Sequence, residues 1–387
     1  MSDVGVYHDS ILEGGGAEVV AVSVIEALSQ ADNDVTLYTT AETNAERINE
    51  RYQSNIPASR ITVINPSPTL SALLAVLCKL ASTVSDVEDL LIFRAAMMEL
   101  PVRIRYLNGH DSFISTQGTF FHDDVIQYVH FPYYSRRAMC AYTDRFADPL
   151  YPAYHAVCRS MKRIYRAVWG ADTTTITNSA WTSEVTEAVY DVNTEVVYPP
   201  VEVNEFSPLN WEKKEDGFVT IGRVHPEKRQ HVLIGIVEEL VERGYSTHLH
   251  IIGPLGDSDY CSRIRDLASE RDYIHVEGRV SRSEVVSHVE AHKFGIHAKQ
   301  YEHFGIAIAE LLAGHSIPLV PAGGGQAETV KLDALTYTDV SDAAEKAAGL
   351  LDGDTTYRNL FADTEIPEKY SKGRFNDQIL RVMNVGA

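Results

Sequence analysis

Phe218-Val219-Thr220-Ile221-Gly222-Arg223-Val224-His225-Pro226-Glu227-Lys228 reads as a short buried strand, a glycine turn and two cations five residues apart. The strand-to-helix order of this stretch recurs along the second half of the chain. Strands are predicted at Phe218–Ile221, Thr247–Ile252, Ile274–Glu277, Gly295–His297 and Ile317–Pro321, with helical stretches near 230–243, 258–271, 281–292 and 305–313 between them. Strict alternation of strand and helix implies an α/β fold whose parallel sheet is covered on both faces. Ligands of such sheets lie beyond the carboxyl ends of the strands. Arg223 and Lys228 come just after such an end.

Toward the N-terminus the same logic applies. Val4-Gly5-Val6-Tyr7-His8 reads as a first strand, Gly14-Gly15-Gly16 as its turn, Glu18 to Gln30 as a helix and Val35 to Thr40 as a second strand. This is a βαβ opening with glycines at the first strand-to-helix turn. Residues 42–125 are less regular, with short apolar runs at Leu90 to Phe93 and Ser112 to Thr116. Val196-Val197-Tyr198 reads as a strand ended by Pro199-Pro200, because proline cannot donate to a sheet ladder. The polar stretch Asn210 to Gly217 then reads as a linker. Two domains are expected, 1–205 and 206–387, with the last helix a candidate to return to the first. At 387 residues the chain is long for a single core.

Composition narrows the class. A formal net charge of -20 argues against a nucleic-acid partner, since phosphate backbones need a basic surface. Eleven lysines against 23 arginines, beneath 54 carboxylates, suggest a salt-adapted, halophilic host. Cys78, Cys140, Cys158 and Cys261 are scattered, fitting neither a zinc motif nor a disulfide framework, so a reducing cytoplasm is expected. The start shows no basic and apolar leader, and Leu70 to Leu77 is too short to span a bilayer. No metal is expected. His248 and His250 alternate onto one strand face without a visible third ligand. Asp257-Ser258-Asp259 has a D-x-D spacing but reads better as a helix cap. His122-Asp123-Asp124 reads equally well as a polar loop.

Three segments carry chemistry. Glu13-Gly14-Gly15-Gly16-Ala17-Glu18 can let a phosphate or sugar approach backbone at a helix start. Arg223 and Lys228 can flank one diphosphate. Glu302-His303-Phe304-Gly305-Ile306-Ala307-Ile308-Ala309-Glu310 places free amides and two carboxylates around a helix N-terminus. Each alone has a bland reading as a tight turn, a solvated loop or an amphipathic helix.

Together, in this order, the three resemble glycosyltransferase family 4. That resemblance implies a GT-B fold, two Rossmann-like domains facing a central cleft, and transfer of a hexose from a sugar nucleotide with retention. It gives each residue a role. Arg223 and Lys228 would hold the donor diphosphate, Glu302 the donor-sugar hydroxyls and Glu310 the ribose. Amides at Phe304, Gly305 and Ile306 would complete the phosphate cradle. Gly15 and Gly16 would close over the donor, Val280 would line the base pocket, and His130 would sit beside the reacting sugar. The sugar nucleotide is then a co-substrate, and no cofactor is implied.

Tyr128-Val129-His130-Phe131-Pro132, Thr177-Asn178-Ser179-Ala180-Trp181-Thr182 and Val196-Val197-Tyr198-Pro199-Pro200 resemble one subgroup more closely. It comprises the α-1,2-mannosyltransferases that extend dolichol-linked oligosaccharide in asparagine-linked glycosylation. Phe131 and Val201 stand where the subgroup has tyrosine and cysteine. The implied donor is GDP-mannose and the implied acceptor a lipid-linked saccharide. A UDP-sugar donor, or a catalytically silent partner of an active transferase, are the alternatives. Residues 125–166 hold seven cations, two acids and interleaved tyrosines. That mixture suits peripheral contact with the cytosolic membrane face or a carrier pyrophosphate, and equally a salt-bridged helix.

Overall fold

The computed structural model describes residues 1–65, 67–81, 94, 97–99, 101–105, 107–117, 125–133, 135–142, 152, 156, 159, 160, 174–207, 209–256, 258–353 and 368–385. The chain divides into two compact units, 1–200 with 372–387, and 201–371.

The first unit holds β1 (Asp3–Tyr7), β2 (Asp34–Tyr38), β3 (Ile61–Ile64), β4 (Ser112–Ser115), β5 (Ile126–Val129), β6 (Thr175–Thr177) and β7 (Thr194–Val196). They form one parallel sheet in the order β3-β2-β1-β4-β5-β6-β7. Val4 and Val6 of β1, Val35 and Leu37 of β2 and Ile114 of β4 are buried with Val20, Val24 and Leu28 of the helix Gly16–Gln30. Phe375, Ile379 and Met383 join the same core from the helix Lys372–Met383. Their spacing of four puts all three on one helix face. The last helix therefore packs with the N-terminal sheet.

The second unit holds β8 (Glu215–Ile221), β9 (Leu249–Ile252), β10 (Ile274–Gly278), β11 (His292–Ile296), β12 (Ile317–Pro321) and β13 (Thr336–Tyr337). The order is β10-β9-β8-β11-β12-β13, all parallel. Phe218, Ile251, Phe294 and Leu319 supply its core, covered by Leu233, Ile236 and Leu240 of the helix Gln230–Glu242 and by Ile308 and Leu311 of Ile306–Ala313. In both sheets the winding direction reverses beside the first strand, between β1 and β4 and between β8 and β11. That reversal opens a crevice at the carboxyl ends.

Three expectations change. The second unit begins at Val201 and not at 206, since Val201 pairs with Ser371 and donates its amide to the Tyr370 carbonyl. Asn210 to Gly217 is not a linker. Trp211–Lys213 is a 3₁₀ turn, Glu215 already lies in β8, and Lys214 is buried with its ammonium bonded to three backbone carbonyls. His248 and His250 do have further ligands nearby, because the sheet brings His292 beside them from β11. Asp257 and residues 122–124 lie outside the described residues, while Ser258 caps the helix Asp259–Ser269 by accepting from the Cys261 amide.

Candidate functional site

Lys228 ends the 3₁₀ turn Pro226–Lys228 that comes after β8, and Glu302 lies in the loop after β11. Because β8 and β11 are neighbours, the loops that leave them meet. Lys228 Nζ donates to Glu302 Oε2 at 2.5 Å. Lys299 Nζ stands 3.4 Å from Glu302 Oε1, and His297 Nε2 3.4 Å from Oε2. Burial alone would raise the Glu302 carboxyl, but Lys228, Lys299 and His297 hold it well below the usual carboxylate range. Burial lowers the Lys228 ammonium, with Glu302 opposing. The cluster is an anion held among cations at the mouth of a parallel sheet.

The backbone keeps Glu302 in place. Gly325 donates its amide to the Glu302 carbonyl at 2.8 Å. Gly324 has φ +77°, and a Cβ there would stand 2.6 Å from that same carbonyl oxygen. The glycines 323–325 thus let the turn after β12 lie directly against Glu302.

Gly305 is the left-handed N-cap of the helix Ile306–Ala313 at φ +88°, with no side chain capping the first amides. Ile308 and Ala309 already donate their amides to the Gly305 carbonyl, so the earliest amides of this helix start are the ones that could serve an anion. Phe304 is buried with its ring edge-on to Tyr370 at 5.2 Å, fixing the approach to that start. Ile306 is half-buried in the first turn, and Val280 is half-buried just beyond β10. Arg223 is exposed at the end of β8. Glu310, expected at the ribose, is ion-paired. Arg282 Nη1 donates to Glu310 at 2.5 Å, and its Nε donates to Glu205 at 2.7 Å. Burial still raises the Glu310 carboxyl against that cation. His297, Lys299 and Arg282 escape sequence reading because no local motif marks them.

In the first unit the equivalent crevice holds His8, Thr116 and His130, which come directly after β1, β4 and β5. His130 Nε2–H donates to the Thr116 carbonyl at 3.1 Å. The Thr116 hydroxyl donates to the Tyr7 carbonyl and so accepts from His8 Nδ1 at 2.9 Å. His8 Nε2 then points at Glu18, 3.8 Å away. Glu18 is also the third residue of a capping box, accepting the Gly15 amide at 2.7 Å, while Gly15 and Gly16 are exposed at the helix start. Gly15 suits the cap, since a Cβ there would meet the Glu18 carboxylate at 2.7 Å. The glycine run therefore aims an anion into the crevice.

These shifts give the unit a pH dependence. Burial, reinforced by His8, pushes His130 down from 6.5 to about 4. Between those values the folded chain binds fewer protons than the unfolded one, so stability falls as the pH falls. Burial raises the Glu18 carboxyl, but His8 and the amides outweigh it and bring it from 4.5 to about 2. Its contribution is present above pH 4.5 and is lost toward pH 2. Both act in one direction. Urea unfolding measured from pH 7 to pH 4 should show weakening that His130→Gln reduces by about 2 kcal/mol; an unaltered slope would refute the assignment.

Residues 202–362 match the family model "Glycosyl transferases group 1". The match covers nearly all of the second unit, including Arg223, Lys228, Glu302 and Glu310. The second unit is thus similar to a group 1 glycosyltransferase domain. Over the whole chain the fold is GT-B, shared with WaaG, a glycosyltransferase involved in lipopolysaccharide biosynthesis (TM-score 0.67, 13% identity, 98% of this chain and 99% of that one). Anabaena Alr3699/HepE, solved with UDP and glucose, superposes equally well (TM-score 0.66, 13% identity, 99% and 100%). At such identities these likenesses establish the fold alone. In sequence the GT-B chain is similar to GDP-Man:Man(3)GlcNAc(2)-PP-Dol alpha-1,2-mannosyltransferases. The Mus musculus protein is 28% identical over 57% of this chain and 49% of its own length, and the Dictyostelium discoideum protein 22% over 57% and 48%. The chain thus spans about half the length of these curated relatives. Among the described residues no helix is long and apolar enough to cross a membrane.

Proposed function

We propose that the GT-B chain is a retaining, metal-independent mannosyltransferase that uses GDP-mannose and a lipid-linked saccharide acceptor. The Lys228–Glu302 contact at the mouth of the C-terminal sheet carries this reading. In the donor complex Lys228, Arg223 and the amides of Gly305 and Ile306 hold the diphosphate, and Glu302 turns to the sugar hydroxyls. The bond from the anomeric carbon to phosphate oxygen breaks, the acceptor oxygen bonds to the same face, and its proton passes to the departing phosphate. The charge that grows on the diphosphate is what preorganised cations and amides stabilise. No enzymic nucleophile is required, and Glu302, locked among three bases, is a binding group. His130, neutral at physiological pH, hydrogen-bonds a sugar or acceptor hydroxyl.

The relatives' names supply the donor and acceptor class. Peripheral membrane contact is supported by the helix Pro68–Ala81, whose Leu73, Val76, Leu77 and Leu80 are exposed apolar residues. Half of 125–166, the other segment proposed for that contact, lies outside the described residues.

A panel of GDP- and UDP-sugars tests the proposal, reading slow donor hydrolysis and thermal shift with and without added Mg2+ or Mn2+. GDP-mannose should be hydrolysed and should raise the unfolding midpoint, without stimulation by either metal. Response to UDP-sugars only would reassign the donor, and indifference to every sugar nucleotide would favour a silent partner.

A further inference from the structure

The amino-end edge of the C-terminal sheet, opposite the nucleotide crevice, gathers five histidines. His275 lies in β10, His250 in β9, His248 just before it, His292 at the start of β11, and His288 in the last turn of the helix Arg282–Ala291. Ring centroids of His250 lie 4.7 Å from those of His275 and His292 and 4.8 Å from that of His288. β8 runs between β9 and β11, and its residue at this level is Gly217. A Cβ there would stand 2.3 Å from His248 Nε2. Without it, the His248 ring crosses over β8 and brings Nε2 to 3.0 Å from His292 Nε2. Ring nitrogens of His248, His250 and His292 all lie within 4.8 Å of one another.

Two of the rings have their lone-pair nitrogens fixed, and His248 Nε2–H donates to the His292 lone pair, a proton that a metal would displace. His292 Nδ1 stands 2.6 Å from the His288 carbonyl, which only accepts, so Nδ1 carries the proton and Nε2 the lone pair. His250 Nδ1 stands 2.7 Å from Glu277 Oε1, leaving its Nε2 as the lone-pair nitrogen. A backbone carbonyl on one imidazole and a carboxylate on another are the outer contacts that orient metal-binding histidines. A carboxylate is also at hand. Glu215 Oε2 lies 3.5 Å from His248 Nε2 and 4.0 Å from His292 Nε2. Ligand atoms around tetrahedral zinc, with bonds of about 2.0–2.2 Å, stand roughly 3.4 Å apart. Burial also keeps these three imidazoles below their ordinary value, so they are neutral near pH 7.

We propose that His248, His250 and His292 bind one zinc ion, with Glu215 as fourth ligand. The ion would clamp β9 to β11 across β8, at the end of the sheet remote from transfer. The five residues of β8 from Gly217 to Ile221 place about 16 Å of strand between the histidines and the sheet's carboxyl end. The role is structural, and it is independent of the donor assignment.

The test uses the full chain with any affinity tag removed, dialysed against EDTA and then against metal-free buffer. Calorimetric titration with ZnCl2 should give one equivalent bound below about 1 µM, and 100 µM zinc should raise the unfolding midpoint by about 5 °C. CoCl2 should give the intense visible bands of a four-coordinate site. The His248→Gln/His250→Gln pair should lose that equivalent, binding at least about a hundredfold more weakly, with the midpoint in EDTA unchanged. Glu277→Gln, which keeps every ligand, should bind zinc about tenfold more weakly, which preserves a test if the double variant does not fold. No zinc equivalent in the parent chain, or equal binding by parent and variants, would overturn the proposal.

Discussion

Lys228→Ala should lower the rate of the proposed mannosyl transfer a hundredfold or more while moving the unfolding midpoint by only a degree or two. Removing one preorganised cation from a developing diphosphate costs about 3 kcal/mol of transition-state stabilisation, which is more than two powers of ten in rate. The structural cost is small by comparison. Lys228 keeps 28% of its side chain accessible, and Glu302 retains Lys299 and His297 as partners when it goes. The carboxylate is therefore not left buried and alone, the circumstance that makes loss of a buried ion-pair partner severe. In the proposed role Lys228 meets the phosphates in the ground state too, so KM for the donor should also rise, but less than kcat falls. Single-turnover transfer and thermal unfolding on the same preparations decide the matter. Matching losses of rate and stability would mean that Lys228 props the loop and does not serve the reaction.

The parallel sheet of the second unit was readable because buried strands and helices alternate there without interruption from Phe218 to Pro321. Arg223, Lys228 and Glu302 stood out at strand-to-helix turns, and their roles came from the resemblance to glycosyltransferase family 4. That Lys228 and Glu302 touch was not readable. They are 74 residues apart in the chain, and only the β8–β11 adjacency joins them. His297 and Lys299 stayed hidden for the same reason, since strand order is a property of the assembled sheet. Arg282 was hidden by ordinary helix chemistry, a cation in the first turn of Arg282–Ala291 beside a capping box made by Ser281 and Glu284. In the first unit β3, β5 and β6 are only three or four residues long, too short for periodicity to mark them, while Ser112 to Thr116 and Val196 to Tyr198 flagged β4 and, offset by two residues, β7. Glu18 could have been recognised, since a glutamate three residues after a helix cap is the signature of a capping box. His248 and His250 lacked a third ligand in sequence because that ligand arrives from the far side of β8.

Lys214 shows where reading by polarity fails, and it carries the largest expected effect on stability. Flanked by Trp211-Glu212-Lys213 and Glu215-Asp216, it looks like one more solvated charge. In the fold its side chain is almost wholly buried, and Nζ donates to the carbonyls of Gly314 at 2.7 Å and of Val289 and His292 at 3.2 Å. Those acceptors end two helices, Arg282–Ala291 and Ile306–Ala313, where unpaired carbonyls and the negative ends of the helix dipoles coincide. One ammonium satisfies both ends. Burial pushes it down to about 8, with Glu290 opposing, so at neutral pH it keeps all three protons for three acceptors. Ser316 Oγ also reaches Val289 and His292 at 2.7 Å, but the Gly314 carbonyl would lose its side-chain donor. Lys214→Met keeps the length and removes the charge. It should cost about 3 kcal/mol, the worth of charged hydrogen bonds together with an unsatisfied carbonyl. In a unit of this size that is a fall of about 8 °C in midpoint. Donor hydrolysis at about 20 °C, well below that midpoint, should stay within about twofold, since β8 separates Lys214 from Lys228. A change under about 1 kcal/mol in urea unfolding would show that water can replace the ammonium at both helix ends.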